Sequence, residues 1–477
     1  MADGTRFPLP GGSMPSCLLA PLSKGTHPNH RFRFCGNGLA AASIFLPLSC
    51  RRKQMQHALR ACAVAIVMAF GAPGIAVSSE PVPGSSVESL LEFARTNNPE
   101  YAAMRHEADA ASERILPAGA LPDPRLRVEL QDITMGGQQS PTLSPNKVGS
   151  TKYTLMQELP WFGKRDLKRE IAALELEGAK GRAAGTWSEL SARIKSGYAQ
   201  SYYLYQNERL TNEILDLMTR LEKIAQVRYA GGLTAQQDVI RAQVEQTNLR
   251  NELIALENEQ RMNRSLLNML LARPATAPLA EPEQLRPLPA PVRLDPAALA
   301  DRVRGRNPQL FAEDARLRAA EKNRELTYKN RYPDFAVGVA PMQFGNSIKE
   351  WELMVELNIP LQQSTRRSQE REAEAMLSAA HSRKEAVANQ VLAELTENLS
   401  GLDAARRTEM TIANSLLPQA ELTFKSALAS YENGKVDFAT LLDAQRQIRQ
   451  AKQNQIKAQA EGQARLAEIE RLLGEEL

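Results

Sequence analysis

The chain carries two versions of one stretch. RYAGGLTAQQDVIRAQ at residues 228–243 returns as SYENGKVDFATLLDAQ at residues 430–445. Superposing Tyr229 on Tyr431 also matches Gly232 with Gly434 and Ala242-Gln243 with Ala444-Gln445, at a constant offset of 202 residues. An internal repeat constrains the fold more than any single motif, because each copy is one structural unit of the same kind.

The surrounding sequence repeats in the same order. SSVESLLEFARTNNPEYAAMRHEADAASERI and LDPAALADRVRGRNPQLFAEDARLRAAEKNREL each predict a short opening helix. The first carries a capping-box arrangement, Ser85-x-x-Glu88. The second has Asp295 as N-cap and Pro296 at the first helical position. Both contain Asn-Pro (Asn98-Pro99, Asn307-Pro308) and both run on to Pro-Asp (Pro122-Asp123, Pro333-Asp334).

After Pro-Asp the apolar period changes to two. Leu126, Val128 and Leu130 alternate with Arg125, Arg127, Glu129 and Gln131, and Tyr153, Leu155 and Leu159 with Lys152, Thr154, Met156 and Glu158. The second copy supplies Phe335, Val337 and Val339, then Trp351, Leu353, Val355, Leu357 and Ile359 against Glu352, Met354, Glu356 and Asn358. These predict four strands of roughly 9–12 residues, the length that crosses a bilayer as tilted β-structure. A half-buried antiparallel sheet shows the same alternation, so alternation alone leaves both readings open. The polar stretches MGGQQSPTLSPNKVGS and PMQFGNSIK join the strands.

Each second strand ends in proline, Pro160 and Pro360, and a very long helix is expected after it, over about 164–229 and 363–431. At 1.5 Å per residue each is on the order of 100 Å long. Leu210, Ile214, Leu217, Leu221 and Ile224 keep a heptad seam in the first; Val391, Leu395, Asn398 and Leu402 do so in the second, where Pro418 predicts a kink. Ala230-Gly231-Gly232 and Asn433-Gly434 stop these helices. New helices follow over about 234–271 and 436–473, with Leu249, Leu253, Leu256, Leu267 and Leu270 forming a seam in the first. The duplicated motif is thus the tip of a long antiparallel hairpin. Seven prolines mark residues 272–296 as an extended linker between a first repeat, 85–271, and a second, 297–477.

Ahead of the repeats lies a leader. Arg51-Arg52-Lys53 and MQHALR precede the apolar run ACAVAIVMAFGAPGIAV, which reads as a signal peptide over 55–78 cut after Ala76 or Ser78. A membrane anchor is the alternative, but the run is short of the roughly 20 residues a spanning helix needs. Residues 1–54 read as an upstream extension. Removing 1–78 takes away eight of the 59 Lys/Arg, one of the 55 Asp/Glu and all four cysteines, and leaves a net charge of −3. The basic balance therefore belongs to the leader and gives no footprint for nucleic acid. An exported chain stabilised without disulfides is expected.

Four strands cannot close a barrel, and open edges inside a bilayer leave unpaired backbone groups. Three chains would give twelve strands, with apolar faces toward lipid and Arg, Glu, Gln and Lys around a wet lumen. After the leader no apolar run approaches 18 residues, which excludes helical spanning.

The chain resembles the TolC-type outer-membrane efflux proteins over about residues 85–473. The resemblance rests on the duplication, on the two Tyr-x-x-Gly tips leading to Asp238-Val239 and Leu441-Leu442-Asp443-Ala444-Gln445, and on LPWFGKR at 159–165. It implies a mostly α fold with a small membrane β part. Tandem-duplicated long antiparallel helical hairpins plus four β-strands would assemble as a homotrimer, with a 12-stranded β-barrel in outer-membrane lipid and an α-helical periplasmic tunnel. It also implies a passive duct without cofactor or catalysis, docked to a periplasmic adaptor protein and an inner-membrane efflux pump.

The resemblance places a gate at the tips, where Tyr431 would bond Asp238. Asp443 matches a pore-narrowing aspartate, while Thr440 stands in place of a second and Val436 in place of a gate arginine, so the expected latch has fewer bonds. Gly232 and Gly434 match the tips that adaptors touch. LPDPRL (121–126) and LPWFGKR resemble the branch paired with heavy-metal cation pumps. Drug efflux and type I secretion use the same kind of duct. Some metal-efflux relatives are lipidated at an N-terminal cysteine; here Cys62 precedes most of the apolar run, so no lipid anchor is expected.

GNGLAA (36–41) loosely fits a dinucleotide fingerprint but follows no strand. Beyond the leader only His106 and His381 remain, far apart, and each reads as a surface helix residue rather than a metal ligand. The rival of another class is a non-pore coiled-coil scaffold or adhesin, which predicts a soluble chain without an outward apolar band.

Overall fold

The computed structural model describes residues 82–134, 137 and 140–477; the expected signal peptide, the upstream extension and the four cysteines they hold lie outside them. Two runs of elements follow one another in the same order. The first is α1 (Val87–Asn97), α2 (Pro99–Glu113), the short α3 (Ile115–Gly119), β1 (Arg125–Gln131), β2 (Ser150–Leu159), α4 (Lys164–Ala230) and α5 (Gln236–Leu270). The second is α6 (Pro296–Arg306), α7 (Pro308–Lys329), β3 (Asp334–Phe344), β4 (Ser347–Asn358), α8 (Gln363–Thr411), a π turn (Ile412–Leu416), α9 (Leu417–Glu432) and α10 (Phe438–Leu473). The segment between them has no regular structure except a 3-10 turn at Pro291–Leu294.

Each opening segment is two helices rather than one, and the Asn-Pro dipeptides are the reason. Proline disfavours the α conformation in the residue before it. Asn98 and Asn307 are accordingly extended or near-extended, each closing one helix and capping the next. Their amide nitrogens donate to Ala94 O and Val303 O, both at 2.9 Å. Their side-chain oxygens accept from Tyr101 N at 2.9 Å and Leu310 N at 2.8 Å. Their side-chain NH2 groups donate to Leu270 O and Leu472 O, both at 2.8 Å. These carbonyls sit at the ends of α5 and α10. One buried asparagine per repeat thus splices the start of α2 to the end of α5, and the start of α7 to the end of α10. The capping box is corrected as well: Ser86, not Ser85, caps α1. Asp295 caps α6 as its spacing predicts.

α4 runs unbroken for 67 residues. Its counterpart breaks register at Ile412–Leu416, immediately before Pro418. A wider π turn accommodates a residue that lacks an N–H donor and would clash with the preceding carbonyls. α4 contacts α2 and α7 along part of its length and α5 and α10 along the rest, while α8 contacts α7 and α10.

The four strands form one antiparallel sheet in the order β1-β2-β3-β4, with β1 and β4 at its edges. Directly opposed residues share a face. Leu126 opposes Leu155, Leu155 opposes Val339, Val339 opposes Leu353, and Phe335 opposes Leu357. The apolar alternation of all four strands therefore falls on one face, and Trp351, Leu353, Val355 and Leu357 on it are 55–74% exposed. The other face carries Arg125, Lys152, Glu158 and Glu352, with Arg125–Glu158 paired at 2.9 Å and Lys152 paired with Glu352. β2, β3 and β4 have 10, 11 and 12 residues, enough to cross hydrocarbon as tilted strands. β1 is shorter than expected, at 7. Pro122 and Pro124 offer no donor before it, and Asp132 turns to positive φ after it. PMQFGNSIK is mostly strand, with Gly345-Asn346 as its turn. No described helix is long and apolar enough to cross a membrane.

The motif LPWFGKR locks the sheet to α4. The Trp161 ring stacks on Tyr332 at 5.2 Å and 7°, and its backbone N–H donates to Asp334 at 2.7 Å. Lys164 adds a bond to the same carboxylate at 2.8 Å. Gly163 takes φ +78°, which lets the chain turn from strand to helix where a side chain would meet Lys329.

Candidate functional site

The two hairpin tips have one backbone. Gly232 and Gly434 both adopt φ +71°. Gly232 N bonds Tyr229 O and Leu233 N bonds Arg228 O, at 2.9 and 2.8 Å; Gly434 N bonds Tyr431 O and Lys435 N bonds Ser430 O, at 3.0 and 2.9 Å. This pattern ends α4 and α9 alike, with glycine in the left-handed conformation that satisfies the last carbonyls. A side chain on Gly232 would meet nothing within 4 Å, and one on Gly434 would meet only Arg228.

Their side chains differ. Tyr229 is 46% exposed, whereas Tyr431 is 2% exposed and packs edge-on against Phe438 with ring centroids 5.4 Å apart. Both rings belong to a core with Met218 and Leu221 of α4, Ala242 and Leu249 of α5, and Leu441 and Leu442 of α10. Fully burying each such apolar side chain contributes about 1.5–3 kcal/mol. The second tip is therefore seated on the first hairpin.

Tyr431 and Asp238 are neighbours without a direct bond. Asp238 instead accepts from Thr234, four residues earlier at the entry of α5. The Tyr431 hydroxyl is buried beside the Thr234 side chain, outside good hydrogen-bond geometry. Burial pushes its pKa up, and the Asp238 carboxylate adds to that rise against the Thr234 side chain and the nearby Arg228 charge.

Thr440 and Asp443 sit one turn apart on an exposed stripe of α10. Thr440 gives both its backbone N–H and its hydroxyl to Asp437, the cap of α10, at 3.0 and 2.6 Å. These two bonds, the hydroxyl's first, hold the Asp437 carboxyl below the usual carboxylate range. The Asp443 side chain is 70% exposed and 4.0 Å from Arg446, which is engaged by the buried Glu245 at 2.8 Å. That bond to Glu245 raises the Arg446 pKa.

Three residues at this site escape a reading by motif: Arg228, Thr234 and Phe438. Their one sequence signal is that the repeat fails there. Ser430, Val436 and Gln236 occupy the matching positions. His106 and His381 lie exposed on helices beside Asp109 and Glu385. Among the described residues, no three His, Cys, Asp or Glu side chains gather where they could hold a metal ion.

Outer-membrane proteins of solved structure share this architecture. The cobalt-zinc-cadmium resistance protein CzcC of Cupriavidus metallidurans is 24% identical over 395 residues, covering 82% of this chain and 90% of that protein. The outer-membrane channel OprN superposes with a TM-score of 0.68 at 19% identity, over 81% of this chain and 89% of that one. The outer membrane protein VceC of Vibrio cholerae does so with a TM-score of 0.69 at 16% identity, over 82% and 96%. The outer membrane efflux protein model matches residues 90–273 and 299–475, one block for each copy of the repeat, and the chain belongs to that family.

Proposed function

We propose that this outer membrane efflux protein is the passive exit duct of a tripartite system and works as a homotrimer. The observation that carries the reading is the four-stranded sheet, apolar on one face, charged on the other and open at β1 and β4. Unpaired edges are not tolerated in hydrocarbon, and three copies remove them in a twelve-stranded barrel. The helical hairpins then continue the lumen into the periplasm, toward an adaptor protein and an inner-membrane pump that supplies the energy. The protruding tips at Gly232 and Gly434 are the surfaces offered to the adaptor. Tyr431, with Asp238 beside it, forms the gate, and Asp443 and Thr440 line the constriction.

The cargo we assign is heavy-metal cations, supported by the alignment with a cobalt-zinc-cadmium resistance protein over 90% of its length. Two measurements test these readings. Purified protein should cross-link as a trimer and give discrete conductance steps in planar bilayers; a soluble, non-inserting product would hand the reading to a coiled-coil scaffold. Deleting the gene in its host should lower tolerance to cobalt, zinc and cadmium salts. Loss of tolerance to hydrophobic drugs instead, or failure to secrete a protein substrate, would move the assignment to drug efflux or type I secretion.

A further inference from the structure

Arg228 closes the second tip from the first hairpin. It lies in the last turn of α4. Its guanidinium stands over the Tyr431 ring, 5.1 Å from the centroid. One terminal nitrogen donates to Glu432 O at 2.6 Å, in the final turn of α9. The other lies so close to Gly434 that an added methyl there would come within 3.2 Å of it. The helix C-terminus carries partial negative charge and the aromatic face is electron-rich, so both surfaces favour a cation. Nothing returns the favour, since Ser430 occupies the matching place in the second tip.

We propose that Arg228 is the positioning residue of the closed duct. It holds the second tip onto the first within each protomer, and its guanidinium must leave Tyr431 and Glu432 for the tips to part. This rests on the channel reading above. Widening a duct whose wall ends in these hairpins requires the tips to separate, and Arg228 is a polar side chain that spans them, as Arg446 with Glu245 spans the helices that follow. What it holds is the ring of Tyr431; the hydroxyl lies beside Thr234 and Asp238 instead.

The test is single-channel recording of full-length trimers: wild type, Arg228→Gln and Arg228→Lys, with Arg228→Gln repeated in Tyr431→Phe and Tyr431→Leu backgrounds. Circular dichroism and thermal melting report folding separately. Arg228→Gln should raise the open fraction at fixed voltage about tenfold, equivalent to about 1.4 kcal/mol. Arg228→Lys should raise it less, because it keeps the charge. The Gln effect should persist over Tyr431→Phe, which retains the ring, and shrink over Tyr431→Leu. Arg228→Met serves the same comparison if the Gln variant does not assemble. A conducting wild type with an unchanged neutral variant sinks the tie and leaves the channel reading standing. An undiminished Gln effect over Tyr431→Leu also overturns it. Silence from wild type and every variant removes the channel and the tie together.

Discussion

The two hairpin tips share a backbone and differ in what they bury. Both turn through a glycine at φ +71° with the same pair of closing bonds, yet Tyr229 stands half in solvent while Tyr431 is enclosed. The cause lies a few residues on. Where the second tip enters its next helix with Phe438, fully buried, the first has Gln236, exposed. One aromatic at that entry gives the second tip a core, and the tyrosine before it becomes part of that core. Duplication has preserved the turn, which depends on glycine and backbone bonds, and released the side chains to diverge.

The strongest way to break this comparison is to truncate both tyrosines. Tyr431→Ala should cost about 3–5 kcal/mol, as for large aromatic side chains removed from cores. Tyr229→Ala should stay within about 0.5 kcal/mol, as surface changes do. Hydrogen-exchange protection of the two tips in the assembled protein measures each locally. Equal losses at both would mean that Tyr229 is covered by something this chain alone does not supply.

Next come the asparagine splices, where the repeats should agree. Asn98→Ala and Asn307→Ala each remove a cap, about 1 kcal/mol. Each also strands a buried carbonyl at Leu270 or Leu472, about 1–3 kcal/mol more. Chemical denaturation should show losses of roughly 2–4 kcal/mol at both sites, equal within error. A large effect at only one would show that the second pair of stacked helices is held by other contacts, such as the buried Lys195–Glu470 pair at 2.7 Å beside the end of α10.

Much of this could be read from the chain before its structure, because the informative signals are local. Alternation of Trp351, Leu353, Val355 and Leu357 fixes one face of a strand regardless of its partners. Gly232 and Gly434 announce their turns for the same reason. The tips' side-chain chemistry was not legible in that way. Arg228 finds its carbonyl 204 residues further along the chain, and no spacing rule connects them. Two tyrosines at equivalent positions look alike until Phe438 and Gln236 are placed. That Asp238 accepts from Thr234 rather than from Tyr431 is something only coordinates decide.

The smallest expected difference concerns helix entry. Asp437 caps α10 through its side chain, whereas Ala235 begins α5 with no side-chain cap. The bonds from Thr440 hold the Asp437 carboxyl below its ordinary value, so the folded pKa is depressed. That contribution is complete above the unfolded value of about 4 and is lost as pH falls through the folded one. Protection of the first turn of α10 should therefore drop as the pH falls below about 4, and Asp437→Asn should remove the step. Ala235→Asp should do the reverse at the other tip, adding about 0.5–1 kcal/mol to the start of α5 and bringing an acid-sensitive step with it. If α5 instead gains nothing, its entry is already satisfied by the Thr234–Asp238 pair, and the two tips solve the same capping problem with different residues.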